Sequence, residues 1–129
     1  MYNFLKIIWI FFLGFFCLFT STIYANEKIK IGLLVPVTGD NKELGQQIVK
    51  STRIALKDIG SDEIEIYLKD TNSNPNKTIE SAIELNKMGI KIVIGPVFYK
   101  NLVYLEEVED ITFLSLTNRT IGLPKNVIS

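Results

Sequence analysis

Short apolar runs alternate with amphipathic stretches along the chain after residue 26. Residues 29–35 (IKIGLLV) are mostly apolar, which is typical of a parallel strand covered on both faces. Residues 41–59 carry apolar side chains on one side and charged or amide side chains on the other. This pattern predicts a helix of about five turns lying on a sheet, with Gly60 as its stop. The apolar positions are Leu44, Ile48, Val49, Ala55, Leu56 and Ile59.

A second strand and helix follow in the same order. Residues 64–68 (IEIYL) alternate only partially, which favours a strand nearer the edge of the sheet. Asn74 is a predicted N-cap and Pro75 the first residue of a helix that Gly89 terminates. The inward stripe of this helix is predicted to contain Ile79, Ala82 and Ile83.

The last third of the chain repeats the alternation with shorter elements. Residues 90–94 and 111–116 predict the third and fourth strands. A short helix is predicted between them at residues 101–108, and the apolar tail LPKNVIS indicates that a fifth strand begins there. Leu102, Leu105 and Val108 are the inward positions of the short helix.

Strands that alternate with helices predict an α/β fold, a Rossmann-like open parallel sheet with right-handed crossovers and helices on both faces. Ligands of such sheets bind outside the carboxyl ends of the strands, where the strand order reverses. With the order 2-1-3-4, that point lies between the first and third strands. The loops PVTGDNKELG, GPVFYKN and SLTN are therefore expected to line any binding site.

The N-terminus carries a separate signal. Residues 7–19 are apolar throughout, a length that matches the core of a secretory signal peptide and falls short of a membrane-spanning helix. We expect cleavage after Ala25 and a periplasmic mature chain, although Ile23 stands where a small residue is usual. An uncleaved membrane anchor is the alternative. Lipid attachment at Cys17 is rejected because two phenylalanines precede it.

Composition excludes several kinds of chemistry. The 14 basic and 14 acidic side chains balance, and removal of Lys6 with the leader leaves a net charge of −1. No one-signed stripe attracts nucleic acid. The chain has no histidine, and Cys17 is its one cysteine, which removes the usual zinc sites, Cys or Ser/His nucleophiles and a disulfide framework. We therefore predict no catalytic residue, metal or cofactor.

The loop after the first strand also fails the spacing test for a phosphate cradle. Five residues separate Gly39 from Gly45, and Gln46 and Gln47 follow, whereas a P-loop needs four residues and then Lys with Ser or Thr. A G-x-G-x-x-G fingerprint is absent as well. Asp70, at the end of the second strand, is therefore interpreted as a turn former that bonds the backbone of TNSN rather than a ribose ligand.

Three ordered motifs resemble the leucine/isoleucine/valine-binding group of type 1 periplasmic binding proteins. They are the P-x-T-G loop in IKIGLLVPVTG, the Asp-x-x-x-x-Pro stretch in KDTNSNP, and the strand end VIGP. The resemblance covers nearly all of residues 29–117 and implies a fold of two Rossmann-like lobes around a cleft. Residues 26–129 would then form part of the first lobe, preceded by a signal peptide at residues 1–25.

The resemblance and the loop positions together name candidate ligand-binding residues. The candidates are Thr38 and Gly39, Phe98 and Tyr99, and Ser115 and Thr117. Each pair also has a purely structural interpretation that stays open: the first pair makes a turn, the aromatic pair is surface covered by the rest of the protein, and the hydroxyl pair forms hydrogen bonds with neighbouring backbone.

The resemblance implies an exported, non-enzymatic solute-binding protein of a branched-chain amino acid ABC transporter. Its partners would be a small ligand, an amino acid or an amide, and a membrane permease. The turn after Gly-Pro departs from the family, because Val97-Phe98-Tyr99-Lys100 replaces the small hydroxyl residues that receive a ligand carboxylate. An alternative is therefore a regulator similar to penicillin-binding protein activators, which would contact a cell-wall synthase.

Overall fold

Five parallel strands form one sheet with helices on both faces. A computed structural model describes residues 27–129, so the apolar leader and the predicted cleavage after Ala25 lie outside the described residues. The strands are β1 (Ile29–Val35), β2 (Ile64–Asp70), β3 (Ile92–Ile94), β4 (Thr112–Leu114) and β5 (Val127–Ile128), and the helices are α1 (Lys42–Ile59) and α2 (Pro75–Lys87).

The strand order is β2-β1-β3-β4-β5, and every neighbouring pair is parallel. This confirms the predicted α/β class and the edge position of the second strand, and the order 2-1-3-4, on which the expected ligand edge depended, is the order found. The C-terminal tail adds β5 beside β4, as its apolar residues indicated. The reversal of strand order falls between β1 and β3, so the carboxyl ends of these strands mark the expected ligand edge.

Local chemistry sets where α2 begins and where α1 ends. The Asn74 side chain accepts hydrogen bonds from the backbone N–H groups of Asn76 at 2.9 Å and Lys77 at 3.1 Å, and so caps α2. Gly60 has a left-handed φ of 63° and closes α1. Of the inward positions predicted for α2, Ala82 is fully buried, but Ile83 is 41% exposed, so its inward assignment is wrong.

The predicted helix at residues 101–108 is wrong. Two 3-10 turns, Tyr99–Leu102 and Leu105–Glu107, take its place. Tyr104 separates them with a φ of 70°, a left-handed conformation that an α-helix does not accommodate. The apolar spacing was still informative, because the three residues expected to face inward are all buried: Leu102, Leu105 and Val108.

The two faces of the sheet are covered unequally. On one face Leu34, Val93 and Phe113 pack with Ala82 and Leu85 of α2 in a fully buried core. On the other face, an apolar row crosses all five strands in register, and of its five members only Leu33 is buried. The row consists of Leu68, Leu33, Ile94, Leu114 and Ile128.

Of the helices in residues 27–129, none is long and apolar enough to cross a membrane.

Candidate functional site: the carboxyl edge of the sheet

The loop after β1 is tied to the end of β2 by one carboxylate. Asp70 Oδ1 accepts hydrogen bonds from the backbone N–H groups of Val37 at 2.8 Å, Thr38 at 3.3 Å and Asn72 at 2.9 Å. Asp70 Oδ2 accepts the Thr38 hydroxyl at 2.5 Å. The β1–β2 register explains this, because Val35 pairs with Asp70 and both strands end at the same edge.

Electrostatics keep the Asp70 carboxyl ionised. Partial burial raises its pKa, but the hydrogen bonds from the Thr38 hydroxyl and from the backbone N–H groups of Asn72, Val37 and Thr38 outweigh this effect. The net pKa of Asp70 therefore lies below its usual value. Asp70 is thus a charged anchor for two loops as well as the turn former that its bond from the Asn72 N–H confirms.

Close backbone approaches fix the same corner. Gly39 has a φ of 77°, and a Cβ there would overlap the side-chain oxygen of Asn72. Asn41 Nδ2 donates to Ser73 Oγ at 2.9 Å. These contacts hold the β1–α1 loop against the β2–α2 loop.

The loops after β3 and β4 are joined to each other in a similar way. The Gly95 N–H donates to the Leu114 carbonyl at 2.8 Å, and the Leu116 N–H donates to the Pro96 carbonyl at 3.0 Å. The Ser115 hydroxyl also donates to the Pro96 carbonyl, at 3.3 Å. Ser115 therefore serves as a brace between two loops at the ligand edge.

Arg119 extends this second group toward the solvent. Its backbone N–H donates to Thr117 Oγ1 at 3.0 Å, and the Thr117 N–H donates to Ser115 Oγ at 3.2 Å. Its Nε donates to the Ile121 carbonyl at 3.1 Å. The guanidinium carbon lies 3.8 Å from the centre of the Tyr99 ring, a stacking distance at which the cation is attracted by the ring face.

A groove opens beside this stack. It has a volume of about 320 Å³, and Tyr99 lines it together with apolar side chains. Arg119 borders it, because one of its Nη atoms lies 3.9 Å from where a Cβ would stand at Gly122, a lining residue. We call this cavity the Tyr99 groove. Its other lining residues are Leu102, Val103, Tyr104, Glu106, Leu123 and Pro124.

The six predicted site residues fall into two groups. Thr38 and Gly39 contact the β2–α2 loop, while Tyr99, Ser115 and Thr117 are linked through Arg119. Phe98 lies half-buried directly before Tyr99. Within residues 27–129 no hydrogen bond joins the two groups, and β3 separates β1, which precedes the first group, from β4, which precedes Ser115 and Thr117.

Sequence reasoning left two residues of this edge out of the candidate site. Asp70 was interpreted only as a turn former, although the order 2-1-3-4 places the ends of β1 and β2 side by side, so its bonds to Val37 and Thr38 could have been foreseen. Arg119 had no such signal, since its place over Tyr99 depends on the path of the loop after β4. The described residues hold no cluster of three His, Cys, Asp or Glu side chains that could bind a metal.

Comparisons with known proteins agree with this architecture. No protein-family profile matches the chain. A Leu/Ile/Val-binding protein homolog of Brucella abortus is 34% identical over 77 residues, which are 55% of this chain and 21% of the Brucella protein. A leucine-binding protein of Thermotoga maritima superposes with a TM-score of 0.67 at 22% identity, over 77% of this chain and 31% of that protein.

A protein described as a regulator of PBP1A has a similar structure. The C-terminal domain of LpoA from Haemophilus influenzae, described as a regulator of PBP1A, superposes with a TM-score of 0.60 at 27% identity. The match covers 76% of this chain and 31% of that domain. The chain therefore has the fold of type 1 periplasmic binding proteins, and it spans about a fifth to a third of the length of these relatives.

Proposed function

We propose that the chain is the ligand-edge part of the first lobe of an exported solute-binding protein that serves an ABC transporter and has no enzymatic activity. The observation that carries this proposal is the stack of Arg119 on Tyr99, bonded to Thr117 and through it to Ser115, at the carboxyl edge of β3 and β4. Such edges hold ligands in open parallel sheets. The likeness to a Leu/Ile/Val-binding protein homolog supports the same class.

Within this proposal the site residues have different tasks. Thr38 and Gly39 shape one wall, because the Thr38 hydroxyl and N–H are both directed to Asp70. Phe98 and Tyr99 offer aromatic surface to the ligand. Ser115 and Thr117 supply hydroxyl groups from the second wall. The ligand is a small organic molecule such as an amino acid, and a membrane permease is the partner that receives it.

Export is part of the same proposal. We propose that the apolar segment at residues 7–19 is removed with cleavage after Ala25, so that residues 26–129 act in the periplasm. Mass spectrometry of the exported protein should find Asn26 at the N-terminus. Recovery of an intact Met1 in the membrane fraction would contradict this assignment.

Isothermal titration calorimetry tests the function directly. The protein expressed from its complete gene is titrated with L-leucine, L-isoleucine, L-valine, benzoate and the amides of these acids. Saturable binding of at least one compound supports a solute receptor. If no compound raises the heat signal above dilution, and none raises the melting temperature, the solute-binding proposal fails for these ligand classes.

A second function has its own supporting observations. The likeness to the LpoA domain is one, and the bulky turn at Val97–Tyr99 after Gly-Pro is another. Under this proposal the chain belongs to an activator that contacts a cell-wall synthase through its exposed surface, and the cleft binds no solute. Charge reversal at the exposed Glu106 and Glu107 would then weaken pull-down of the synthase, whereas Ser115→Ala would leave it unchanged.

A further inference from the structure

The two 3-10 turns that border the Tyr99 groove are anchored differently. The second turn is bound to the segment before β5, because Asn126 Nδ2 donates to the carbonyls of Leu105 at 2.8 Å and Val108 at 3.0 Å. The first turn, Tyr99–Leu102, has no such anchor, and we call it the Tyr99 turn. Within residues 27–129 no hydrogen bond joins residues 98–103 to another part of the chain. Side-chain packing alone therefore holds the Tyr99 turn against the domain.

Two side chains of the Tyr99 turn provide this packing. Leu102 is 2% exposed and belongs to the buried core, so it favours a turn that lies against the domain. The Tyr99 ring centre lies 3.8 Å from the guanidinium carbon of Arg119. Both residues of this stack are exposed, and a cation–π contact contributes little at an exposed site. A segment without hydrogen bonds to its surroundings is of the kind that opens locally while the rest of a domain stays folded.

The burial of Asn101 opposes the observed position of the Tyr99 turn. Its side chain is 0% exposed, yet neither Oδ1 nor Nδ2 has a hydrogen-bond partner in residues 27–129. A buried amide without partners has lost its hydration and gained no bond in return. If the turn moves outward, water reaches both atoms. Opening therefore exposes Leu102 at a cost and hydrates Asn101 at a gain.

The joint between the two turns is strained. Tyr104 has a φ of 70°, a left-handed conformation that bulky residues rarely adopt. A change of backbone conformation at this residue relieves the strain and separates the first turn from the second. We propose that the Tyr99 turn is a gate of the Tyr99 groove, which swings between Phe98 and Tyr104 and hydrates Asn101 as it opens, while the second turn stays fixed.

Movement of the gate changes access to the groove. Tyr99 and Leu102 line one side, and Leu123 and Pro124 line the other. The first pair moves with the Tyr99 turn, whereas the second pair belongs to the segment that leads into β5. Anything that binds between the two sides holds the turn in one position, because it stabilises the conformation to which it binds. The gate itself does not depend on which function the domain has.

Hydrogen–deuterium exchange followed by mass spectrometry measures the opening directly. The protein expressed from its complete gene is compared with Asn101→Leu, which replaces the buried amide by an apolar side chain of similar size, and with Arg119→Gln, which removes the stacked cation. Exchange of the amides of residues 99–103 should be about tenfold slower in Asn101→Leu, because closing no longer leaves an amide unpaired. It should be about threefold faster in Arg119→Gln. The exposed Asn76→Leu and Arg53→Gln are matched controls and should leave this exchange unchanged.

Slower exchange at residues 99–103 in Asn101→Leu, with unchanged exchange at residues 105–108, is the result expected of a gate. Unchanged or faster exchange at residues 99–103 would overturn the inference, because the unpaired amide would then not drive opening. Equal changes at residues 105–108 would overturn it too, because the two turns would move as one unit.

Arg119→Gln decides the question if the melting curve of Asn101→Leu shows that this variant does not fold. Its exchange must rise at residues 99–103 and stay constant at residues 105–108, and any other pattern overturns the gate. The measurement uses no ligand, so its failure leaves the solute-binding proposal standing.

Discussion

Thr38 donates its hydroxyl to the Asp70 carboxylate at 2.5 Å, across the ends of two neighbouring parallel strands. The same carboxylate also accepts the Thr38 N–H. Both donors of Thr38 are therefore engaged by Asp70. Asp70 therefore fixes the shape of the P-x-T-G loop. Thr38, which the sequence suggested as a ligand contact, is a residue that the Asp70 carboxylate holds in place.

Replacement of Asp70 by asparagine should destabilise the domain. The amide nitrogen cannot accept the Thr38 hydroxyl, and the remaining bonds lose their charge assistance. We expect unfolding in urea to show a loss of about 1–3 kcal/mol. Asp58→Asn on the exposed surface of α1 is the matched control and should change stability by less than about 0.5 kcal/mol. Equal effects of the two variants would contradict the anchoring role of Asp70.

The difference in stability between the wild type and Asp70→Asn should depend on pH. Because the pKa of Asp70 is lowered in the folded state, its ionised form contributes stability above the unfolded pKa of about 3.9. That contribution is lost as the pH falls through the lower folded pKa. Urea titrations at pH 7 and pH 3 should therefore show that the gap between wild type and Asp70→Asn shrinks in acid. A difference that grows in acid would contradict a lowered pKa of Asp70 in the folded state.

How much of this structure was readable from the chain depends on the range of the interactions. The alternation of strands with helices and the capping of α2 by Asn74 follow from local patterns, and they were predicted. The conformation around Tyr104 was not predicted. An α-helix and a pair of 3-10 turns would both bury Leu102, Leu105 and Val108. Burial alone did not distinguish these conformations.

Site residues divide in the same way. Ser115 and Thr117 were placed near the carboxyl edge because they lie at the end of the apolar run of the fourth strand, which is a local signal. Arg119 reaches Tyr99 through a loop in which its Nε donates to the Ile121 carbonyl. The conformation of such a loop produces no periodic pattern in the sequence. The charge of the site was therefore invisible until the fold was known.

Gly45 in α1 should resist substitution. Replacing a helical glycine by alanine usually stabilises a helix by up to about 1 kcal/mol. Here a Cβ would overlap the carbonyl oxygen of Pro36, which is backbone and cannot rotate away. Gly45→Ala should therefore lower the melting temperature, whereas Ser51→Ala, at an exposed position of the same helix, should leave it nearly unchanged. A more stable Gly45→Ala protein would show that α1 does not pack this closely on the β1 loop.

The apolar row across the sheet should make the isolated domain associate. Leu68 and Leu114 are each 40% exposed, and Ile128 is 58% exposed, on the same face. Open apolar surface of this kind favours contact with a second molecule. Sedimentation of residues 26–129 should show concentration-dependent oligomers, and the double variant Leu114→Lys with Ile128→Lys should reduce them. A wild-type monomer at all concentrations would contradict this expectation.

Two hydroxyl deletions should separate a shaping residue from a contacting one. Thr38→Val removes the donor to Asp70, so both the melting temperature and the affinity for the solute should fall. Ser115→Ala loses two longer bonds, the one to the Pro96 carbonyl at 3.3 Å and the one from the Thr117 N–H at 3.2 Å. It should weaken ligand binding several-fold, since one hydrogen bond contributes about 0.5–1.5 kcal/mol, with little change in melting.

Thr38→Ser provides the control for this comparison, because it keeps the hydroxyl and removes only a methyl group. It should melt close to the wild type and bind the ligand with nearly wild-type affinity. Calorimetry with the tightest acid of the panel and melting curves of the three variants supply both readings. If Thr38→Ser is as damaged as Thr38→Val, the lost methyl packing and not the bond to Asp70 explains the effect, and the loop does not depend on that pair.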